Sequence, residues 1–117
     1  MIRIKRVYDT VSDEDGFRIL IDRLWPRGMS KEKVNVDLWL KDIAPSDGLR
    51  KWFGHDQVKW NEFKEKYHKE LDDKGSIVSL ILEKTSSGNV TLLFGAKDKK
   101  INNAVALRDY IAERQRS

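Results

Sequence analysis

The chain has 117 residues, enough for one domain to remove roughly two-thirds of its unfolded surface from water without covalent staples. It has no cysteine, which excludes disulfides, thiolate metal sites and a cysteine nucleophile; its two histidines offer no spacing for zinc or haem, so neither a metal nor a cofactor is expected. Twenty-three Lys and Arg against nineteen Asp and Glu leave a net charge of +4, an excess that favours anionic partners but serves equally to solvate the surface.

Met1 to Arg6 alternates apolar and basic residues and lacks the long apolar run of a leader or a membrane span. With the absence of cysteine this leads to the expectation of a cytoplasmic protein with no membrane partner. The period of two at Ile2 and Ile4, carried on to Val7, predicts a first strand over 2–7. A polar loop, Asp9 to Gly16, follows. Ile19, Leu20 and Ile21 are consecutive and bounded by Gly16 and Pro26, as in a strand covered on both faces. Pro26 and Gly28 break the chain, Ser30 caps a short helical turn, and the alternation of Val36 to Leu40 predicts a third, peripheral strand.

Ser46 is placed to cap a short helix that runs through Leu49, Trp52 and Phe53 and stops at Gly54. Asp56 caps a longer one, in which Trp60, Phe63, Tyr67 and Leu71 form a buried stripe while Lys59, Glu62, Lys66 and Lys69 face solvent; His68 and Glu70 are expected on that outer surface. A third helix holds Ile77, Leu80 and Ile81 and ends at Ser86 to Gly88. Val90 to Phe94 is an unbroken apolar run, the mark of a buried parallel strand, and a last helix from about residue 100 to 114 turns Ala104, Leu107 and Ile111 to the core. This order predicts an α/β fold, small and Rossmann-like, with a mostly parallel sheet flanked by helices, in a single domain over 1–117.

In open parallel sheets ligands bind beyond the carboxyl ends of the strands. Two segments leave predicted strands there. Asp22 to Lys31 holds Arg23, Trp25, Arg27 and Lys31, whose guanidinium and ammonium groups suit an oxyanion and whose indole suits a planar group. The alternative is that Asp22 pairs with Arg23 or Arg27 and that Trp25 is core. Gly95 to Asp98 brings Lys97, with Asn102 and Asn103 opening the last helix, where free amides suit an anion and where helix capping is the plainer account. If the two segments adjoin, Arg23, Arg27, Lys31, Lys97 and Asn103 share one pocket. Arg50, Trp52 and His55 form a third group; Asp22 and His55 are the candidates for proton transfer, and Arg50 and Trp52 for binding. No Walker or dinucleotide-type glycine pattern is present, so a phosphate site here rests on side chains alone.

The runs Arg6-Val7-Tyr8-Asp9, Asp22-Arg23-Leu24-Trp25-Pro26-Arg27-Gly28, Trp39 to Ser46, Leu49 to Asp56 and Trp60-Asn61-Glu62-Phe63 resemble the YeaO-like branch of domain-of-unknown-function family 488. The resemblance spans nearly the whole chain and implies a small Rossmann-like domain with no established biochemical activity. Some other branches of that family carry a cysteine-histidine-arginine run at the final strand-to-helix turn. Here the stretch reads Ile101-Asn102-Asn103-Ala104-Val105, so reactivity tied to those residues does not carry over.

Three functions follow. The first is a domain that binds or processes a phosphate-bearing ligand, a nucleotide or a nucleic-acid end, in a basic pocket at the carboxyl ends of the strands. The second is a nucleic-acid-binding accessory protein without chemistry, contacting phosphates through Arg3, Lys5, Arg6, Lys99, Lys100, Arg114 and Arg116. The third is an interaction module or homo-oligomer using Trp39 and Trp52.

Overall fold

The computed structural model describes residues 1–116. Four strands, β1 (Ile2–Arg6), β2 (Phe17–Leu20), β3 (Leu38–Trp39) and β4 (Val90–Phe94), form one all-parallel sheet in the order β1-β4-β2-β3. The last strand in sequence therefore lies between the first two. Every residue of β4 is buried, which is why its side chains are apolar on both faces save Thr91, whose hydroxyl donates to the Asp15 carbonyl at 2.7 Å.

Five helices accompany the sheet: α1 (Lys31–Val34), α2 (Asp47–Phe53), α3 (Trp60–Asp72), α4 (Gly75–Ser86) and α5 (Asn103–Arg116). The cover is asymmetric. Ile19, Ile21, Val90, Leu92 and Phe94 pack into the main core with Phe63, Tyr67, Leu71, Ile81, Leu107 and Ile111 of α3, α4 and α5. On the other face Leu20 and Leu93 form a smaller cluster with Val7, Val34 and the flanking Trp25, Met29, Val36 and Trp39. The rest of that face is polar: Asp15 and Arg18 pair while only 1% and 3% exposed, and Lys5 Nζ joins them at 3.1 Å.

The caps form as expected. Ser46 Oγ accepts from Leu49 N and Gly54 ends α2 in the left-handed region, while Ser30 Oγ accepts from Lys33 N. Asp56 caps a short 3-10 turn that runs directly into α3. The third strand is shorter than the 36–40 expected. Just before it Asp37 meets Arg18 twice, its N donating to the Arg18 carbonyl at 2.9 Å and its Oδ2, in place of a backbone carbonyl, accepting from Arg18 N at 2.9 Å, and Leu40 turns into a 3-10 segment over Lys41–Ile43. Two residues expected on the outer surface of α3 are instead tied inward. His68 Nε2 lies 2.9 Å from the Ala106 carbonyl of α5, and the Glu70 carboxylate accepts from Ser46 N at 2.9 Å and Ser46 Oγ at 2.6 Å. Glu70 thereby holds the start of α2 against α3. Among the described residues no helix is long and apolar enough to cross a membrane.

Candidate functional site

Because β4 lies beside β2, the chains leaving these two strands meet, and a cavity of about 360 Å³ opens at their carboxyl ends. Asp22, Arg23 and Leu24 enter it from β2 and Ala96 from β4. Asn102 and Asn103 come from the start of α5, and Ala44, Pro45, Asp47, Arg50 and Phe53 from α2 and its approach. His55 and Phe63 complete the wall. Its size is at the small end of the range for small-molecule sites, and its walls are apolar with a few polar groups, as such sites usually are.

Asp22 ties three elements together. Its Oδ2 accepts from Gly95 N at 2.8 Å, its Oδ1 from Asn103 Nδ2 at 3.0 Å, and its carbonyl from Trp39 Nε1 at 2.7 Å. Burial pushes the carboxyl up from the usual carboxylate range, and the donors Asn103 and Gly95 only partly offset this. A pairing of Asp22 with Arg23 or Arg27 is not formed; amides take the place of guanidinium groups.

The two cations of the lining, Arg23 and Arg50, meet at Asp47 of α2. Arg23 Nε is 3.9 Å and Arg50 Nη2 3.6 Å from the same Asp47 oxygen, so one carboxylate is shared loosely between two guanidinium groups. Arg23 Nη2 reaches the Pro45 carbonyl only at 3.5 Å, and its buried Nε has no hydrogen-bond acceptor among the described residues. Arg50 is 59% exposed in its side chain, which puts it at the mouth. His55 is also exposed there and sits at φ +58, a left-handed conformation held directly after Gly54 at +53. Such a backbone is uncommon for a residue with a Cβ.

Six of the eleven residues singled out in the sequence line the cavity: Asp22, Arg23, Arg50, His55, Asn102 and Asn103. Asn102 serves as the cap of α5, with Oδ1 accepting from Val105 N at 2.9 Å and Nδ2 donating to the Asp98 carbonyl at 2.8 Å. The other five lie elsewhere. Trp25 packs edge-on against Trp39, ring centroids 5.4 Å apart, and donates to the Met29 carbonyl on the less covered sheet face. Arg27, Lys31 and Lys97 are exposed and outside the lining, so of the four cations expected to share one pocket only Arg23 remains in it, and Arg50 joins it from α2. Trp52 is half-buried against the core, with Lys66 Nζ 4.1 Å from its ring centroid.

Asp47, Phe53 and Phe63 were not singled out. The signal was present for Asp47, which follows the capping Ser46 in the same turn as Arg50; the two phenylalanines read only as core, which they also are. Of the cations proposed to meet nucleic acid, Arg3 pairs with Glu14, Lys5 with Asp15, Lys99 with Asp9 and Arg114 with Asp72, and Arg6 Nε donates to the Ala96 carbonyl.

Over residues 1–117 the chain matches the family model described as the inactive DUF488-N3 subclade. It is similar to the uncharacterized protein YeaO of Escherichia coli K12, 42% identical over 113 residues that cover 94% of this chain and 96% of that protein. It is also similar to the uncharacterized protein Rv3073c of Mycobacterium tuberculosis H37Rv, 40% identical over 79 residues, 68% of this chain and 67% of that one. No solved structure matches.

Proposed function

The chain belongs to the DUF488 family, within its inactive DUF488-N3 subclade, and from that premise we propose that it is a binding domain that holds a phosphate-bearing small molecule beyond β2 and β4 without turning it over. The observation that carries this reading is Arg23 Nε, a buried donor with no acceptor in the wall of the cavity. Leaving a buried donor unmet costs about 1–3 kcal/mol, and such groups are rare in native proteins. A phosphate oxygen supplies the acceptor in the planar geometry a guanidinium matches, and Arg50 adds a second fork at the mouth.

Asp47 does not preclude this, because at 3.9 and 3.6 Å it is beyond hydrogen-bond reach of both guanidinium groups. Phe53, Phe63, Leu24 and Pro45 suit an apolar portion of the same ligand. The absence of turnover accords with the subclade's description and with a lining that holds no hydroxyl or thiol side chain. Broad nucleic-acid binding is the weaker reading, since Arg3, Lys5, Arg6 and Arg114 among the cations it needs are hydrogen-bonded to internal partners.

Thermal unfolding with increasing inorganic phosphate, at ionic strength held constant with sodium chloride, tests the proposal. Phosphate at about 100 times its Kd adds about 2.7 kcal/mol to a fold that alone binds it, which for a chain of this length is a rise of roughly 10 °C. The rise is expected to disappear in Arg23→Leu and to persist in Arg27→Leu. An unprotected wild type, or equal protection of the Arg23 variant, overturns the reading.

A further inference from the structure

The part of the cavity wall formed by Asp22 and Asn103 has an excess of acceptors. Asp22 forms no ion pair among the described residues, and the only groups that hold its carboxylate are the Gly95 amide and the Asn103 side chain. A carboxylate has about four lone-pair positions, so about two remain after these bonds. Donating Nδ2 to Asp22 commits the other end of the Asn103 amide, Oδ1, to acceptance only, and it receives no hydrogen bond among the described residues. A carboxylate removed from water is ordinarily matched by a cation. Here the available guanidinium groups, Arg23 and Arg50, gather at Asp47 on α2 instead.

The cavity is thus bipolar, with spare donors on the α2 side and spare acceptors where β2, β4 and α5 meet. We propose that its ligand is an amino phosphate, in which a cationic amino group is received by Asp22 and Asn103 while the phosphate is held by Arg23 and Arg50. This rests on the phosphate reading above and adds a second recognition element to the same site. Asp22 is in this role a specificity-determining residue. A neutral or acidic substituent at that end of the ligand would leave the carboxylate unmatched, and this disfavours amine-free phosphate esters.

Matched pairs of probes separate the two readings. O-phosphoethanolamine is compared with ethyl phosphate, and O-phosphotyramine with 4-ethylphenyl phosphate, so that each pair differs in the amine and the two pairs differ in reach. Affinity for the wild-type protein is read from thermal protection or calorimetry, with inorganic phosphate as the reference. In at least one pair the amine is expected to improve Kd about ten- to hundredfold, the worth of one charge-assisted hydrogen bond. That gain is expected to vanish in Asp22→Asn and to fall in Asn103→Ala, while protection by inorganic phosphate remains. Phosphate protection with no gain from the amine in either pair overturns the amino-phosphate assignment and leaves the phosphate reading standing. No protection by inorganic phosphate or by any ester overturns both. Because the paired comparison uses the wild-type protein, the assignment is tested even if a variant fails to fold.

Discussion

Removing either member of the buried Asp15–Arg18 pair is expected to cost about 3–5 kcal/mol of stability, because the remaining charge is left without its match in a place water does not reach. Asp15 accepts from Ser12 N at 3.0 Å, from Lys5 Nζ at 3.1 Å and from Arg18 Nη1. Arg18 in turn satisfies the Asn35 carbonyl at 3.0 Å and the Val34 carbonyl at 2.8 Å, fastening α1 to the sheet. Arg18→Met therefore strands two carbonyls as well as a carboxylate that retains only the Lys5 ammonium and the Ser12 amide. At roughly 4 °C per kcal/mol for a chain of this length, the melting temperature falls by about 12–20 °C. The double variant Asp15→Leu/Arg18→Met, which leaves no uncompensated charge in the pair, is expected to lose less than the two single losses added together by about 2 kcal/mol or more. Urea denaturation of the four proteins measures all three differences. Single variants within 1 kcal/mol of wild type, or strict additivity in the double, would refute the reasoning. The same network has an acid limit. Burial pushes the Asp15 carboxyl up, but Ser12, Lys5 and Arg18 outweigh it and hold it below the usual range, so its contribution is complete above about pH 4 and is lost as pH falls further.

Two more outcomes follow from the backbone and from the cavity. Gly16 sits at φ +64 with Asn89 O only 2.2 Å from where a Cβ would lie, whereas Gly54 at φ +53 would meet nothing closer than 3.7 Å. Gly16→Ala is accordingly expected to cost about 3 kcal/mol or more and Gly54→Ala about 1 kcal/mol, with equal losses in denaturation counting against the contact as the cause. Asp22 gives the opposite pH sign to Asp15. Its carboxyl is raised in the folded state, chiefly by burial, so the fold binds that proton more tightly than the unfolded chain and loses stability as pH climbs from about 4 through the raised value. The stability of wild type relative to Asp22→Asn is expected to decline over that interval, and a flat or rising difference would contradict the assignment.

Local pattern was enough for most of the elements. The capping Ser46 and terminal Gly54 delimit α2, the spacing of Phe63, Tyr67 and Leu71 marks the buried side of α3, and the unbroken Val90 to Phe94 run is the fully buried strand. These features depend on neighbours within a turn or on a period of two, which a sequence displays directly. The site was legible in part for the same reason: Asp22 and Arg23 leave a recognisable strand, and Asn103 opens a recognisable helix. Arg27 and Lys31 share that stretch of sequence but not the cavity, because a loop interrupted by Pro26 and Gly28 turns its side chains in directions that composition does not record.

What the chain's order of residues determined by itself was the set of elements, their caps and the α/β class. Only the tertiary structure decided that β4 enters between β1 and β2, that Asp22 meets Gly95 and Asn103 across 73 and 81 residues, and that His68 and Glu70 turn inward. The difference is one of range. A strand's apolar faces record that it is covered, but the neighbour that covers it is selected by how all the elements together bury their surface and satisfy their polar groups.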